Sequence, residues 1–315
     1  MKLQHAAVAT PLISGSSKDF YSTEDPHVLL MICKDNVHGR GRQASIPGTG
    51  RLRELFCFHF YSALETLGIS THLAREYCGR PLGKGDALQP SGILVRRLDM
   101  VRLELIARYV ARGQWVDAHK IPLLEAGEPL AEPTFDCCLK WRACVRSVEM
   151  ENMGARNRML WRLLGKVLPA EVLAPATLMR DDPRVPPDVL IALNRHCREP
   201  ELRARLIRSH QEWEQLRTVC LRVFAVLREM LLHVGLTLED GKIEVGLIPD
   251  SARAEFILGD ECSQDSIRVR AATGQPLSKD LFRQGRTPEE LVVAYGHLVE
   301  VLRTLPPATN LRVVS

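Results

Sequence analysis

The sequence lacks the signatures of several large protein classes. Its nine cysteines include no CxxC pair, and adjacent Cys137 and Cys138 have neither zinc-site nor disulfide-framework spacing. Its ten histidines include no HxxxH or HExxH pair. No stretch approaches the roughly 18 to 20 apolar residues of a membrane span, and the first residues lack a basic region followed by an apolar one. These absences predict a cytoplasmic protein with reduced, mostly buried thiols and no membrane partner.

The sequence also has little excess of positive over negative charge. The net charge is +4 over 315 residues, and no DNA-binding motif accompanies it, so nucleic acid is not an expected partner. The mild positive charge suits anionic small molecules. With 45% hydrophobic and 25% charged residues, the chain is expected to be globular, with one large core or two smaller ones.

The first half of the chain predicts a small antiparallel sheet with a helix packed on it. Strand-type runs cover Val28–Cys33 and Ile93–Leu98, and an amphipathic helix covers about Gly50–Leu67. A second β-rich run, Arg102 to Gly113, is expected to lead into a larger lobe. The predicted class is therefore α+β, with an N-terminal lobe at 1–101 and a C-terminal lobe at 102–315.

The second half predicts helices and two more strands. The Arg- and Pro-rich segment at about 151–209 is interpreted as helices joined by turns. Apolar residues at helical spacing predict a core-facing helix over about Ser209–Val234, ended by a glycine. Strands are expected at Lys242–Leu247 and Glu255–Gly259. A last helix is expected at about Thr287–Thr304, with threonine as its cap and proline at its first position.

Two acidic segments have the chemistry of a metal site. Strand alternation puts Asp240, Lys242 and Glu244 on one face, each about 6.6–6.8 Å from the next, where they can bind an anion and a metal together. The alternative is a solvated strand face. Asp260 and Glu261 end an apolar run, and with Glu244 they offer the oxygen ligands that Mg²⁺ prefers. An ordinary acidic turn is the alternative.

Two basic segments suit phosphate recognition. Arg96 and Arg97 lie beside apolar residues and are followed by Glu104 and Arg108, although charged edge strands also carry such residues for solubility. The run from Ser14 to Lys18 contains a glycine and three serines, and its backbone N–H groups and lysine can face a nucleotide. Such turns are common in proteins, so the pattern alone is weak.

Taken in order, these segments resemble the SAICAR synthetase family, ATP-dependent ligases of purine synthesis, over most of the chain. Their common order and spacing carry the resemblance. The matching stretches are Gly15–Pro26, Phe56–His72, Leu94–Met100 with Glu104 and Arg108, Asp240–Gly246, Leu258–Ser263 with Asp265 and Arg268, and Lys279–Arg283.

The resemblance implies a two-lobed, kinase-like or ATP-grasp-like fold with ATP held between the lobes. It implies a small ribonucleotide as substrate, an amino acid as possible co-substrate, and a possible homo-oligomer. In the family ATP phosphorylates a carboxylate of the ribonucleotide, and an amine then displaces phosphate to form an amide. The matched positions are Gly15, Lys18, Arg97, Asp99, Met100 and Lys140 for ATP, Glu244 and Asp260 for Mg²⁺, Arg108, Asp240, Lys242 and Arg268 for the ribonucleotide, with Lys242 and Asp240 as catalytic residues.

The departures from the family pattern concern the substrate segment most. Ser16 replaces the first lysine of the family's phosphate turn, and Arg97 replaces a lysine. After Lys140 the family's acidic segment has become Trp141–Ser147, which contains two arginines and reverses the local charge. Three hypotheses follow: a specialised ATP-using paralogue of a purine-analogue or nucleoside-antibiotic pathway, the ordinary purine enzyme, or a non-catalytic nucleotide-binding protein on this scaffold.

Overall fold

The chain divides into two compact units in a computed structural model. One unit contains residues 1–98, 229–237 and 261–315, and the other contains 99–228 and 238–260. The structure describes residues 10–39, 41–74, 92–112, 127–140, 177–178, 183–184, 187–196, 206–249 and 255–305. We call the two parts unit 1 and unit 2 and treat each by itself.

Unit 1 contains a four-stranded antiparallel sheet and a two-stranded hairpin. The sheet order is β1 (Ile13–Ser14), β2 (Lys18–Ser22), β3 (Val28–Cys33) and β6 (Ile93–Arg96). The hairpin pairs β4 (Asn36–Gly39) with β5 (Arg42–Ser45). β3 alternates half-buried and buried residues, as a strand with one face on the core should. The predicted antiparallel sheet is confirmed.

Helix α1 (Thr49–Thr66) packs on β3 and agrees closely with the helix predicted from periodicity. The aromatic residues Phe56, Phe60 and Tyr61 on it are fully buried. Its charged residues do not follow the predicted pattern, because Arg53 and Glu54 are buried as well. The apolar residues Leu52 and Leu67, near the ends of the predicted helix, are only half-buried. The buried charges therefore need partners inside unit 1.

The C-terminal segment belongs to unit 1, which differs from the contiguous division at 101/102 expected from the sequence. The physical reason is that the last helix packs along α1. The segment contains β14 (Ile267–Ala271), the short α4 (Asp280–Arg283) and α5 (Pro288–Thr304). α5 starts with the predicted cap, since Thr287 and Glu290 form a reciprocal capping box and Pro288 follows.

Unit 2 is built on an antiparallel sheet. Its strand order is β10 (Thr177–Leu178), β11 (Pro183–Arg184), β9 (Pro129–Leu139), β8 (Leu103–Val110), β12 (Leu236–Leu247) and β13 (Ile257–Gly259), with β7 (Asp99–Met100) also paired to β12. β12 begins six residues before the predicted strand, and its first two residues belong to unit 1. Two further helices among the described residues are α2 (Pro187–His196) and α3 (His210–Leu232), and the last four residues of α3 belong to unit 1.

One face of the unit 2 sheet is covered by α3. Phe135 of β9 makes an edge-to-face contact with Trp213, with 5.1 Å between ring centroids. A Cβ on Gly241 of β12 would lie 2.1 Å from a ring carbon of Phe224, so this position admits only glycine. α3 matches the predicted helix, but Val234 is 41% exposed and lies past its end, so it is not a core residue.

The segment at 151–209 is described only in part. α2 agrees with the helical prediction, whereas Thr177–Leu178 and Pro183–Arg184 form short paired strands that the prediction missed. Trp141–Ser147 lies outside the described residues. Among the residues that are described, no helix is long and apolar enough to cross a membrane.

Candidate functional site

The face of the unit 2 sheet opposite α3 carries a row of charged side chains. In the antiparallel register Asp240 lies opposite Arg108, and Lys242 lies opposite Ile106. On the other side of β8, Asp136 lies opposite Ile106. Since side chains alternate across a strand, these residues share one face with Glu104 and Glu244. We call this set the polar face: Glu104, Arg108, Asp136, Lys140, Asp240, Lys242, Glu244 and Asp260.

Three ion pairs organise the polar face. Arg108 donates to the Asp240 carboxylate, and both side chains are buried. The Lys242 ammonium lies 2.7 Å from Glu104 Oε1, and the Lys140 ammonium lies 2.5 Å from Glu244 Oε2. Asp240 and Glu244 are 6% and 7% exposed, so the solvated-face alternative is wrong. The Lys242 side chain is 44% exposed and can therefore meet a ligand.

Acidic charge is in excess beside Glu244. Burial raises the pKa of Glu244 to about 7, and the negative charge of Asp260 adds to this effect, while Lys140 opposes it. Burial also raises the pKa of Glu104, but the Lys242 ammonium outweighs it and leaves that pKa lowered. Asp260 has φ 56°, the one positive φ at a non-glycine residue in the part of the chain described here. Strained backbone of this kind concentrates at functional sites.

The residues expected near adenine lie at one end of the polar face. Met100 pairs with Gly246 and Asp99 pairs with Leu247. β7 therefore lies beside the last two residues of β12, just beyond Glu244. The Val101 N–H donates to Val245 O over 2.9 Å, which ends the pairing. Asp99 is exposed and Met100 is half-buried.

Four predicted site residues lie in unit 1. The Gly15 N–H closes a tight turn on Lys18 O at 2.8 Å, and the Lys18 ammonium lies 3.5 Å from Glu261 Oε1. The Arg97 N–H donates to His27 O over 2.8 Å. The Nε atom of Arg268 lies 3.4 Å from Asp280, whose carboxylate also binds Arg283 at 2.7 Å.

Solved structures share the architecture. A phosphoribosylaminoimidazole-succinocarboxamide synthase from Ehrlichia chaffeensis aligns with TM-score 0.68 and 20% identity over 94% of this chain and 100% of that one. A SAICAR synthetase in complex with ADP aligns with TM-score 0.64 and 23% identity over 94% and 98%. At these identities the likeness shows the fold alone.

The sequence comparisons decide the family. Phosphoribosylaminoimidazole-succinocarboxamide synthases from Methanothermobacter thermautotrophicus and Acaryochloris marina are each 26% identical to this chain, over 93% and 92% of it and 92% and 94% of their own lengths. The profile of the SAICAR synthetase family matches residues 11–152 and 180–295. The chain belongs to the SAICAR synthetase family. It is therefore an ATP-dependent ligase that forms a carbon–nitrogen bond, and the predicted α+β fold is confirmed.

In this SAICAR synthetase family member, Glu244 and Asp260 are the carboxylates that would hold Mg²⁺. Burial raises the Glu244 pKa and the charge of Asp260 adds to this effect, and a hard divalent cation would offset the negative charge through the carboxylate oxygens that it prefers. Across the described residues, no three His, Cys, Asp or Glu side chains are grouped to hold a metal without help. Mg²⁺ is commonly held by one or two carboxylates plus nucleotide phosphates, so a two-carboxylate site fits.

Sequence reasoning missed several charged residues of this SAICAR synthetase family member. Glu104 was noted but not recognised as the partner of Lys242, and Asp136 was not singled out. Glu261 was grouped with Asp260 as a possible metal ligand, but its carboxylate instead pairs with Arg53 at 3.3 Å in unit 1. The available signal was the charged pair Arg53–Glu54 on the predicted inner side of α1. In an amphipathic helix, charges at such positions indicate a buried ion network.

Proposed function

We propose that this protein uses ATP and Mg²⁺ to activate a carboxylate of a purine-precursor-like ribonucleotide, in the synthesis of a purine-analogue nucleoside. The observation that supports it most is the polar face, where acidic charge beside Glu244 and Asp260 adjoins the cations Lys242 and Arg108. Five carboxyl groups and three cations share that face, and a divalent cation would offset the difference.

The chemistry requires activation because a carboxylate is a poor acyl donor. Transfer of the γ-phosphoryl group of ATP to a carboxylate oxygen gives an acyl phosphate. An amine nitrogen then attacks the carbonyl carbon, the bond from that carbon to the phosphate oxygen breaks, and the amine loses a proton. Phosphate, rather than oxide, is the leaving group.

Each proposed role follows from the chemistry of the side chain. The half-exposed Lys242 ammonium suits the negative charge that develops on the reacting carboxyl group. Asp240 holds the Arg108 guanidinium, which suits the phosphate of the ribonucleotide, as Arg268 does. Lys18, Arg97 and Lys140 are assigned to ATP phosphates, with the turn at Gly15, and Asp99 and Met100 to adenine.

Glu244 and Asp260 are the residues that would hold Mg²⁺. When bound, the ion offsets charge on the phosphates during transfer. Lys140 donates to Glu244, which holds the carboxylate in place and lowers its pKa, but burial and the charge of Asp260 still leave that pKa raised to about 7. The left-handed backbone at Asp260 turns the chain directly after β13.

A second candidate is the standard family reaction, which joins carboxyaminoimidazole ribonucleotide to L-aspartate. The relatives that match over 93% of this chain and 92% of their own length are phosphoribosylaminoimidazole-succinocarboxamide synthases by name. The altered segment Trp141–Ser147 favours the specialised reaction instead, since arginines replace acids there.

Three experiments test the two candidates. Calorimetry with Mg²⁺ and ATP tests nucleotide use, and absence of binding would contradict both. Mass spectrometry of a reaction with carboxyaminoimidazole ribonucleotide and L-aspartate tests the standard product, as does growth of a purine auxotroph lacking that step. Nucleotide binding with ADP or phosphate release that depends on Glu244 and Asp260, but without that product, supports the specialised reaction. The proposal includes a cytoplasmic location, which suits the six buried free thiols among the described residues. It also includes a homo-oligomer.

A further inference from the structure

The β4–β5 hairpin contacts α4 through one arginine. Arg42 Nη1 donates to the carbonyl oxygen of Phe282 over 3.1 Å, and the guanidinium carbon lies 5.1 Å from the centroid of the Phe282 ring. Phe282 is buried, so its ring keeps one position beside the guanidinium. A cation over an aromatic face is attracted by the ring. Arg42 therefore binds α4 at its backbone and at a side chain.

Two glycines allow the hairpin and α4 to approach each other closely. Gly39 lies opposite Arg42 in the hairpin, and a Cβ on it would lie 2.8 Å from Arg283 Cγ. Gly285 follows α4 with φ 80°, and a Cβ on it would lie 3.2 Å from Arg42 Nη1. Both distances are shorter than the optimal separation of non-bonded atoms, so side chains at these positions would push the two segments apart.

α4 depends on its neighbours for its conformation. It has four residues, and so short a helix makes too few internal hydrogen bonds to offset the cost of nucleation. Before it, Lys279 binds Asp265 at 3.1 Å. The last carbonyls of a helix have no partner further along it, and a cation beside them is favourable. Phe282 O accepts from the Gly285 N–H at 3.0 Å and from Arg42, so the hairpin stabilises the C-terminal end of α4.

α4 carries the carboxylate that orients Arg268. Asp280 Oδ2 lies 3.4 Å from Arg268 Nε, and Asp280 Oδ1 accepts from Arg283 Nη1 at 2.7 Å. Burial raises the pKa of Asp280, but Arg268 and Arg283 outweigh it and lower that pKa. One carboxylate thus binds two arginines, so positive charge is left for an anion. The Arg268 side chain is 28% exposed and can meet a ligand.

We propose that Arg42 is a positioning residue, which through α4 and Asp280 holds the Arg268 guanidinium in the orientation that binds the phosphate of the ribonucleotide. The inference rests on the proposed ribonucleotide substrate and extends its site to the hairpin. Arg42 lies in none of the stretches that carry the family resemblance. A guanidinium that is already oriented loses less side-chain entropy when the phosphate binds, so the affinity depends on Arg42.

The first readout follows the Arg268 guanidinium in the full-length chain without a ligand. NMR of the arginine Nε–H groups, with the Arg268 signal assigned from Arg268→Gln, measures how fast that proton exchanges with water. Arg42→Met removes the guanidinium at an exposed position. It should raise the exchange rate of the Arg268 Nε–H roughly tenfold, because the bond to Asp280 opens more often.

The second readout is the affinity for ribose 5-phosphate, the part that any ribonucleotide substrate shares. Arg42→Met should raise its dissociation constant on the order of fivefold and leave that of ADP with Mg²⁺ within about twofold of wild type. Arg42→Lys keeps a cation beside Phe282 but loses the planar fork, so its affinity should lie between those two chains. It also carries the test if Arg42→Met does not fold.

The matched control is Arg286→Met. Arg286 is an exposed arginine shortly after α4, and its ion-pair partner at 2.6 Å is Glu290 of α5. Its replacement should leave both the exchange of the Arg268 Nε–H and the affinity for ribose 5-phosphate within about twofold of wild type.

Several results would overturn the inference. One is a folded Arg42→Met chain in which the exchange of the Arg268 Nε–H, or the affinity for ribose 5-phosphate, is that of wild type. Another is an equal loss in Arg286→Met, which would assign the effect to general destabilisation. Wild-type affinity in Arg268→Gln would place the phosphate elsewhere.

Binding of ADP separates these failures from failure of the proposed function. A wild-type chain that binds ADP but no ribose 5-phosphate would overturn the inference and leave the use of ATP intact. A wild-type chain that binds neither would remove the proposed function together with the inference.

Discussion

The two units each bury a cluster of charges, and the clusters differ in balance. In unit 1 the cations Arg53, Lys18 and Lys279 surround the carboxylates of Glu261 and Asp265. On the polar face of unit 2 the carboxyl groups outnumber the cations. Burial raises the pKa of Asp265, but Lys279 and Arg53 outweigh this and lower it, whereas the pKa of Glu244 is raised. Charge balance therefore separates a cluster whose carboxylates are neutralised by cations of the chain from one suited to bind a further cation.

The comparison teaches that burial alone does not identify a functional site. Both clusters are buried and hydrogen-bonded, and Arg53 is less exposed than any charged residue of the polar face. The useful difference is at Glu244, whose pKa is raised by burial and by the charge of Asp260, whereas the cations around Asp265 lower its pKa.

The largest expected effect follows removal of charge at Asp260. Asp260→Asn keeps a residue that tolerates the left-handed backbone, so it tests the carboxylate rather than the conformation. We expect kcat to fall on the order of 100-fold or more, with the thermal midpoint unchanged. Steady-state kinetics against Mg²⁺ concentration and a thermal melt measure both. Full activity with normal Mg²⁺ dependence would break the comparison.

The matching change in unit 1 should affect stability instead. Asp265→Asn removes the charge that binds Lys279 at 3.1 Å and accepts from the Tyr295 hydroxyl. We expect the free energy of unfolding to fall by roughly 2–3 kcal/mol, measured by urea denaturation. Glu300→Gln, in an exposed pair with Arg303, is the control and should change it by less than about 0.5 kcal/mol.

The two clusters should also respond oppositely to pH. Since the folded pKa of Glu244 is raised from 4.5 to about 7, its contribution to stability is present below 4.5 and lost as the pH rises to 7. Since the folded pKa of Asp265 is lowered, its contribution is present above 3.8 and lost as the pH falls below that value.

Urea unfolding of wild type and Glu244→Gln across pH 4.5 to 7 isolates the first contribution, because the other titrating groups are common to both proteins. The difference between them should change by on the order of 1–3 kcal/mol over this range. Parallel pH profiles of the two proteins would show that the raised pKa of Glu244 does not affect the free energy of unfolding.

The smallest expected effect concerns binding on the polar face. Lys242→Ala should weaken binding of the ribonucleotide substrate roughly tenfold while ATP affinity and the Mg²⁺ requirement are retained. The KM for each substrate separates the two. Equal loss of affinity for ribonucleotide in Asp260→Asn and Lys242→Ala would contradict the division of roles between metal and substrate.

Local pattern predicted much of the fold. The helical periodicity of α1 and α3 and the capping signal at Thr287 gave elements that match the structure within a few residues. Alternation along β12 also predicted that Asp240, Lys242 and Glu244 share a face. These properties depend on residues close in sequence, so composition and spacing are enough to predict them.

Long-range pairing was not predictable from the same pattern. Nothing local states that Asp240 lies opposite Arg108, or that Glu104 is the partner of Lys242, because their chain separation exceeds one hundred residues. The return of the segment after residue 260 to unit 1 depends on helix packing, which periodicity does not specify. The burial of Arg53 could not be predicted from the sequence, because its partners Glu261 and Asp265 are also more than one hundred residues away along the chain.

Gly241 limits how this enzyme can be redesigned. It lies between Asp240 and Lys242, and the ring of Phe224 occupies the space where its side chain would begin. A mutant library that varies the strand to alter substrate choice should hold residue 241 constant and, if needed, vary Phe224 with it. A smaller residue at 224 alone would leave a cavity in the core behind the strand, because Phe224 is fully buried.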